Sequence, residues 1–143
     1  ASDVYKRQVE EGSLLRPELP GNEFKDVAMP EPGEEVIRKS TASAFVGTMF
    51  SEALKAAGVK SLAMVGLTTD HCVSASTRSA SDLGFDVVVV EDATAANEKE
   101  AWNGRSYSAE DVHMYSLVAL DGEFCEVCST DALIARIHES RII

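Results

Sequence analysis

The sequence predicts an α/β fold built on an open, mostly parallel sheet flanked by helices. Three observations carry that expectation. Strand and helix signals alternate after Pro32-Gly33, and the strand signals at 61–65 and 85–90 are unbroken apolar runs, as in parallel strands covered on both faces. Their spacing implies right-handed crossovers within one sheet. With 143 residues and 45% hydrophobic content, the chain is long enough for one domain with a real core.

The elements follow in order. Residues 1–8, Ala-Ser-Asp-Val-Tyr-Lys-Arg-Gln, read as a non-native leader of translated-adapter type and are set aside. Residues 9–35 read as irregular connection, because all four prolines of the chain fall there with three of its glycines. The folded domain is expected over 36–143. It opens with a short strand through Val36 and Ile37 that delivers Arg38 and Lys39 at its end. A helix from about Thr48 follows, with Thr48 as cap, an apolar stripe of Phe50, Leu54 and Ala57, and Gly58 at its close. After the strand Ser61–Val65, small residues from Cys72 to Leu83 suit a helix laid closely on the sheet and ended by Gly84. Phe85–Val90 is the next buried strand. Ser108, Glu110 and Asp111 start a helix over Val112–Leu120, Asp121-Gly122 turns the chain into a strand Phe124–Cys128, and Thr130 or Asp131 opens a last helix.

Charge and cysteine usage narrow the function. A net charge of -11, with no Lys/Arg cluster, argues against nucleic acid or an anionic membrane as partner and favours a small-molecule substrate. No apolar run approaches the ~20 residues of a membrane span, and the first residues lack the basic-then-apolar order of a signal peptide, so a cytoplasmic place is expected. Three cysteines, Cys72, Cys125 and Cys128, suit a reducing compartment better than a disulfide framework.

The segment Val65-Gly66-Leu67-Thr68-Thr69-Asp70-His71-Cys72-Val73 puts a cysteine in the first turn of a helix just beyond a buried strand. Ligands of open α/β sheets bind outside the carboxyl ends of the strands. A thiol there feels the helix N-terminus, and a nearby cation favours its nucleophilic thiolate. Free N–H groups of the same turn could hold an oxyanion. Spacing alone also allows an inert buried cysteine, the commoner fate of a free thiol. Cys125 and Cys128 spell Cys-Glu-Val-Cys, but in a strand-like run positions three apart face opposite sides, and no second Cys or His pair completes a zinc set. Both are expected as buried strand cysteines. No Gly-rich phosphate loop or dinucleotide fingerprint is present, and no cofactor or metal is expected.

The run Gly-Leu-Thr-Thr-Asp-His-Cys-Val, followed by Thr77-Arg78, Leu83-Gly84-Phe85 and Val89-Val90-Glu91-Asp92-Ala93-Thr94-Ala95, resembles the nucleophile region of the isochorismatase-like cysteine hydrolases. Upstream, Val36-Ile37-Arg38-Lys39-Ser40 and Ser43-Ala44-Phe45-Val46-Gly47-Thr48 resemble that family's lysine segment. Ser108-Ala109-Glu110-Asp111-Val112-His113 and Leu120-Asp121-Gly122-Glu123-Phe124 are similar to the closing helix and strand of one of its branches. The resemblance spans about residues 12–135.

It implies a Rossmann-like three-layer fold and a triad of aspartate, lysine and cysteine that opens small amides and related C–N bonds through a covalent intermediate. By position, Cys72 is the nucleophile and Lys39 the cation. A cis peptide is implied at Leu67-Thr68, aiming the Thr68 N–H beside the Cys72 N–H into an oxyanion site. Adjacent strand residues face opposite sides, so Arg38 and Lys39 cannot both enter the pocket, and the resemblance favours Lys39. His71 and Thr69 are expected to line the substrate pocket. Asp70 reads as a helix-start acid, and Phe45 as an apolar wall with core packing an equal alternative. The resemblance further implies a homo-oligomer, and a strand–helix–strand bearing the aspartate ahead of Glu10. No acid here takes that role, because Asp3, Glu10 and Glu11 lie in no apolar strand. The alternative expectation is therefore a non-catalytic α/β fragment or small-ligand binding module.

Overall fold

The computed structural model describes residues 36–140 without interruption and, before them, residues 19, 20, 23, 24, 26 and 29–34. The expected leader lies outside the described residues, as does most of the connecting segment.

A parallel three-stranded sheet in the order β1-β2-β5 organises the chain, formed by β1 (Ser61–Leu67), β2 (Asp86–Ala95) and β5 (Glu126–Cys128). β2 is central because its valines suit a strand covered on both sides: Val87 and Val89 are buried on one face and Val90 on the other. It pairs with β1 from Ser61↔Asp86 to Met64↔Val89, and the register then shifts so that Gly66 and Leu67 face Thr94 and Ala95. On its other edge Val88, Val89 and Val90 face Glu126, Val127 and Cys128.

Helices α1 (Phe50–Ala56), α2 (Ser74–Asp82), α3 (Ala109–Val118) and α4 (Thr130–Ser140) complete the fold, and α2, α3 and α4 all pack on β2. Ser108 caps α3 through a reciprocal box: its hydroxyl accepts from the Asp111 N–H while the Asp111 carboxylate accepts from the Ser108 N–H. Gly84, with φ +87°, takes the left-handed conformation that lets α2 stop and β2 begin. One core cluster gathers Ala44, Phe45, Ala80, Phe85 and Val87, joined by Phe50, Leu54, Leu62 and Met64. A second joins Val73, Val89 and Leu117. No helix among the described residues is long and apolar enough to cross a membrane.

The structure corrects the expected elements at several points. Val36 makes only an isolated bridge and Ile37 to Lys39 are irregular, so the first strand is absent among the described residues. Met49 holds the N-cap position of helix α1, while the Thr48 hydroxyl accepts the Phe50 N–H at 3.4 Å and donates back to the Ala44 carbonyl; Ala57 is exposed instead of joining the stripe. β1 alternates instead of being covered on both faces: Leu62 and Met64 reach the core, while Val65 and Leu67 are 61% and 69% exposed. The last strand begins at Glu126, because Phe124 and Cys125 close the turn that follows α3 by bonding back to Leu120. A short antiparallel hairpin, β3 (Lys99–Glu100) with β4 (Ser106–Tyr107), was not anticipated.

Candidate active site

Beyond Leu67 the chain enters the nucleophile segment through a cis Leu67–Thr68 peptide. The expected helix start is a π-helical turn, Thr69–Val73, that runs directly into α2. Cys72 therefore stands in a widened first turn at the carboxyl end of β1, held by the Val73 N–H bond to the Thr68 carbonyl. Such π turns inside helices recur at functional sites.

The lysine segment reaches this turn by docking on α2. Small side chains on that helix permit the approach: the Ser43 and Ser79 hydroxyls are 2.8 Å apart, and the Ala44 N–H donates to the buried Ser76 hydroxyl at 3.0 Å. Phe45 anchors the segment in the core, its ring 5.1 Å from Phe50 and 6.0 Å from Phe85. Phe45 is thus part of a core cluster.

Lys39 is consequently 4% exposed, whereas Arg38 faces solvent. Its ammonium donates to the Ala42 carbonyl and lies close enough to Cys72 for the two groups to interact electrostatically. Burial pushes the ammonium below its ordinary lysine value, while the charge of Cys72 pulls it back up. The exposed strand-end lysine that a single sequence suggests is thus a buried cation beside the sulfur.

The other expected site residues have different surroundings. Thr69 is fully buried, and its hydroxyl is 2.8 Å from His113 Nδ1 on α3, so its side chain braces the turn. His71 is half-exposed, with Nδ1 2.8 Å from Asp70 Oδ2 and 3.3 Å from the Thr68 hydroxyl. Asp70 does more than suit the helix dipole: its carboxylate pairs with Lys99 of β3. Burial raises the Asp70 pKa, but hydrogen bonds from Lys99 and Thr68 and the charge of His71 outweigh that, leaving it below the ordinary carboxylate value. Asp3, Glu10 and Glu11 lie outside the described residues.

His113 and Lys99 were not foreseen as neighbours of the site. Only Asn103-Gly104, a hairpin-turn signal, hinted that the chain doubles back between Lys99 and Tyr107.

Cys125 packs against both core clusters and Cys128 is buried; both thiols are free. Burial, followed by the nearby Asp121 charge, pushes the Cys125 thiol up to about 11. Among the described residues no group of three or more His, Cys, Asp or Glu is arranged to hold a metal. An open cavity of about 310 Å3 lies at the carboxyl end of β2, lined by Glu91, Asp92, Thr94, Glu110, His113, Met114 and three alanines. It is lined by neither Cys72 nor Lys39, and its lining residue His113 is 2.8 Å from the Thr69 hydroxyl of the nucleophile turn. The candidate active site is placed at the thiol, because a sulfur beside a buried cation offers a nucleophile that the carboxylate-lined cavity lacks.

Comparison with known proteins agrees with this architecture. The isochorismatase domain model matches residues 4–132. The isochorismatase family protein YrdC of Bacillus subtilis is 39% identical over 122 residues, covering 85% of this chain and 65% of YrdC. The ureidoacrylate amidohydrolase RutB of Agrobacterium fabrum is 31% identical over 130 residues, 90% of this chain and 56% of RutB. A crystal structure of a putative hydrolase of the isochorismatase family from Chromobacterium violaceum superposes with a TM-score of 0.89 at 41% identity, over 96% of this chain and 69% of that one. The chain thus spans about two thirds or less of the curated relatives it matches here. The matched domain, the sequence identities and the shared α/β architecture place the chain in the isochorismatase family.

Proposed function

We propose that the protein is a cysteine hydrolase that opens a small amide or a related C–N bond through a covalent intermediate on Cys72. The observation that carries this reading is the buried Lys39 ammonium beside Cys72. The chemistry follows from that pair. Lys39 favours the thiolate, which attacks the carbonyl carbon, and the carbonyl oxygen takes the negative charge. The N–H groups of Thr68 and Cys72, at the carboxyl end of β1 and in the π turn, are the proposed donors to that oxygen. Collapse of the tetrahedral intermediate breaks the C–N bond, expels the protonated amine and leaves a thioester. Water then releases the acid and restores the thiol. Protonation of the leaving amine is a general-acid step. The family resemblance gives it to an aspartate that no residue of this chain is assigned to supply.

Substrate contacts are proposed for His71, which is half-exposed beside the nucleophile, and for Thr69 through its backbone only, its hydroxyl being engaged by His113. The amidohydrolase activity named for RutB supports a small amide or ureido compound as the substrate class.

A second reading, an α/β module that binds a small ligand without turning it over, is favoured by the separate cavity at the end of β2. Ammonia release from a panel of small amides and ureido compounds separates the two. Hydrolysis predicts release that is lost in Cys72→Ala, whereas a binding module gives none in either protein.

A further inference from the structure

Lys99 opens the β3–β4 hairpin, 29 residues after Asp70 in sequence, yet its ammonium donates to Asp70 Oδ2 within the nucleophile turn. It also lies 3.4 and 3.5 Å from the two ring nitrogens of His71. The Asp70 side chain is 11% exposed, and its second oxygen, Oδ1, is enclosed with no hydrogen-bond partner. A carboxylate in that position puts a negative charge in the same turn as Cys72, where a thiolate has to form, and a negative charge in that turn disfavours it. Lys99 supplies the compensating charge. The same ion pair ties the hairpin, whose tip presents the 97% exposed Trp102, to the turn that holds the nucleophile.

We propose that Lys99 is a positioning residue of the hydrolytic site, holding the Asp70 carboxylate so that its charge is offset beside Cys72 and the hairpin is fixed against the π turn. The inference rests on Cys72 being the nucleophile. It assigns Lys99 no contact with the reacting atoms; its effect passes through Asp70.

The test measures second-order alkylation of each thiol in the full 143-residue chain, by neutral iodoacetamide and anionic iodoacetate. Lys99→Met is expected to slow iodoacetamide at Cys72 about two- to fivefold, the span of a partly exposed ion pair, and to slow iodoacetate more, because the uncovered carboxylate repels an anion. Lys99→Arg should restore both rates, and adding Asp70→Asn to Lys99→Met should remove the defect, with Cys125 and Cys128 labelling unchanged throughout. Should Lys99→Met lose its cooperative urea transition, Lys99→Gln is read in its place. Unchanged Cys72 rates in the Lys99 variant, a defect that arginine leaves uncorrected, or a double variant as slow as the single one overturns the proposal. If Cys72 in the unsubstituted chain reacts no faster than Cys125, the hydrolase reading fails with it; selective Cys72 labelling that ignores Lys99 removes this inference alone.

Discussion

Replacing Lys39 with methionine should slow alkylation of Cys72 about threefold at pH 7, a figure that follows from the electrostatics of the pair. Two unit charges about 4 Å apart interact by ~4 kcal/mol at an effective dielectric of ~20. Cys72 is only partly buried, and desolvation already works against the Lys39 charge, so ~0.7 kcal/mol is the share left to the pair, about threefold in rate. Methionine also leaves the Ala42 carbonyl without its donor, at a cost of ~1–3 kcal/mol, so the urea midpoint has to be followed alongside. Rates are read by pulsed iodoacetamide labelling and peptide mass spectrometry at pH 7. A folded Lys39→Met chain whose Cys72 reacts as fast as the original would refute the reasoning.

Other outcomes follow from the same geometry. Cys125, with its thiol pushed up to about 11, should stay un-ionised and label far more slowly than Cys72 at pH 8; because its folded value lies above the ordinary 9.0, its contribution to stability should be lost as pH rises from about 9 through about 11, read as a falling urea midpoint. Asp70 has the opposite sign. Its carboxyl is held below the ordinary value, so the stability it contributes is present above that value and is lost as pH falls through the lower folded one, and Lys99→Met should shrink this acid-side loss in a pH series of unfolding midpoints. Thr69→Val keeps the side-chain shape but removes the hydroxyl partner of the half-buried His113 Nδ1, which should cost ~0.5–1.5 kcal/mol by urea unfolding.

Those residues also mark what could be read from sequence. The valine run of β2 and the Ser108–Asp111 cap of α3 are local signals, an apolar strand and a capping box, and both were legible without a structure. β1 was legible as a strand but not in its exposure, because an apolar run says nothing of whether a helix covers both its faces; here Val65 and Leu67 stay bare. Cys72 and the place of its turn after β1 were legible from the Thr-Thr-Asp-His-Cys-Val motif. The π form of that turn was not, since one extra residue per turn leaves no mark in composition. Lys39 could be singled out only by family resemblance, because its burial depends on Ser43 and Ala44 meeting Ser79 and Ser76 more than thirty residues away. Lys99 and Asp70 are 29 residues apart, and strands of two residues carry too little alternation to announce the hairpin that brings them together.

The central claim is that Cys72 forms a covalent bond with its substrate, and acid-quenched peptide mass spectrometry during incubation with the amide panel tests it most directly. The account predicts an acyl adduct on the peptide containing Cys72, absent from the Cys125 and Cys128 peptides, that builds together with the first equivalent of ammonia and ahead of acid release, and that is lost along with ammonia release in Cys72→Ala. Ammonia release that survives Cys72→Ala, or neither adduct nor ammonia across the panel, would contradict it.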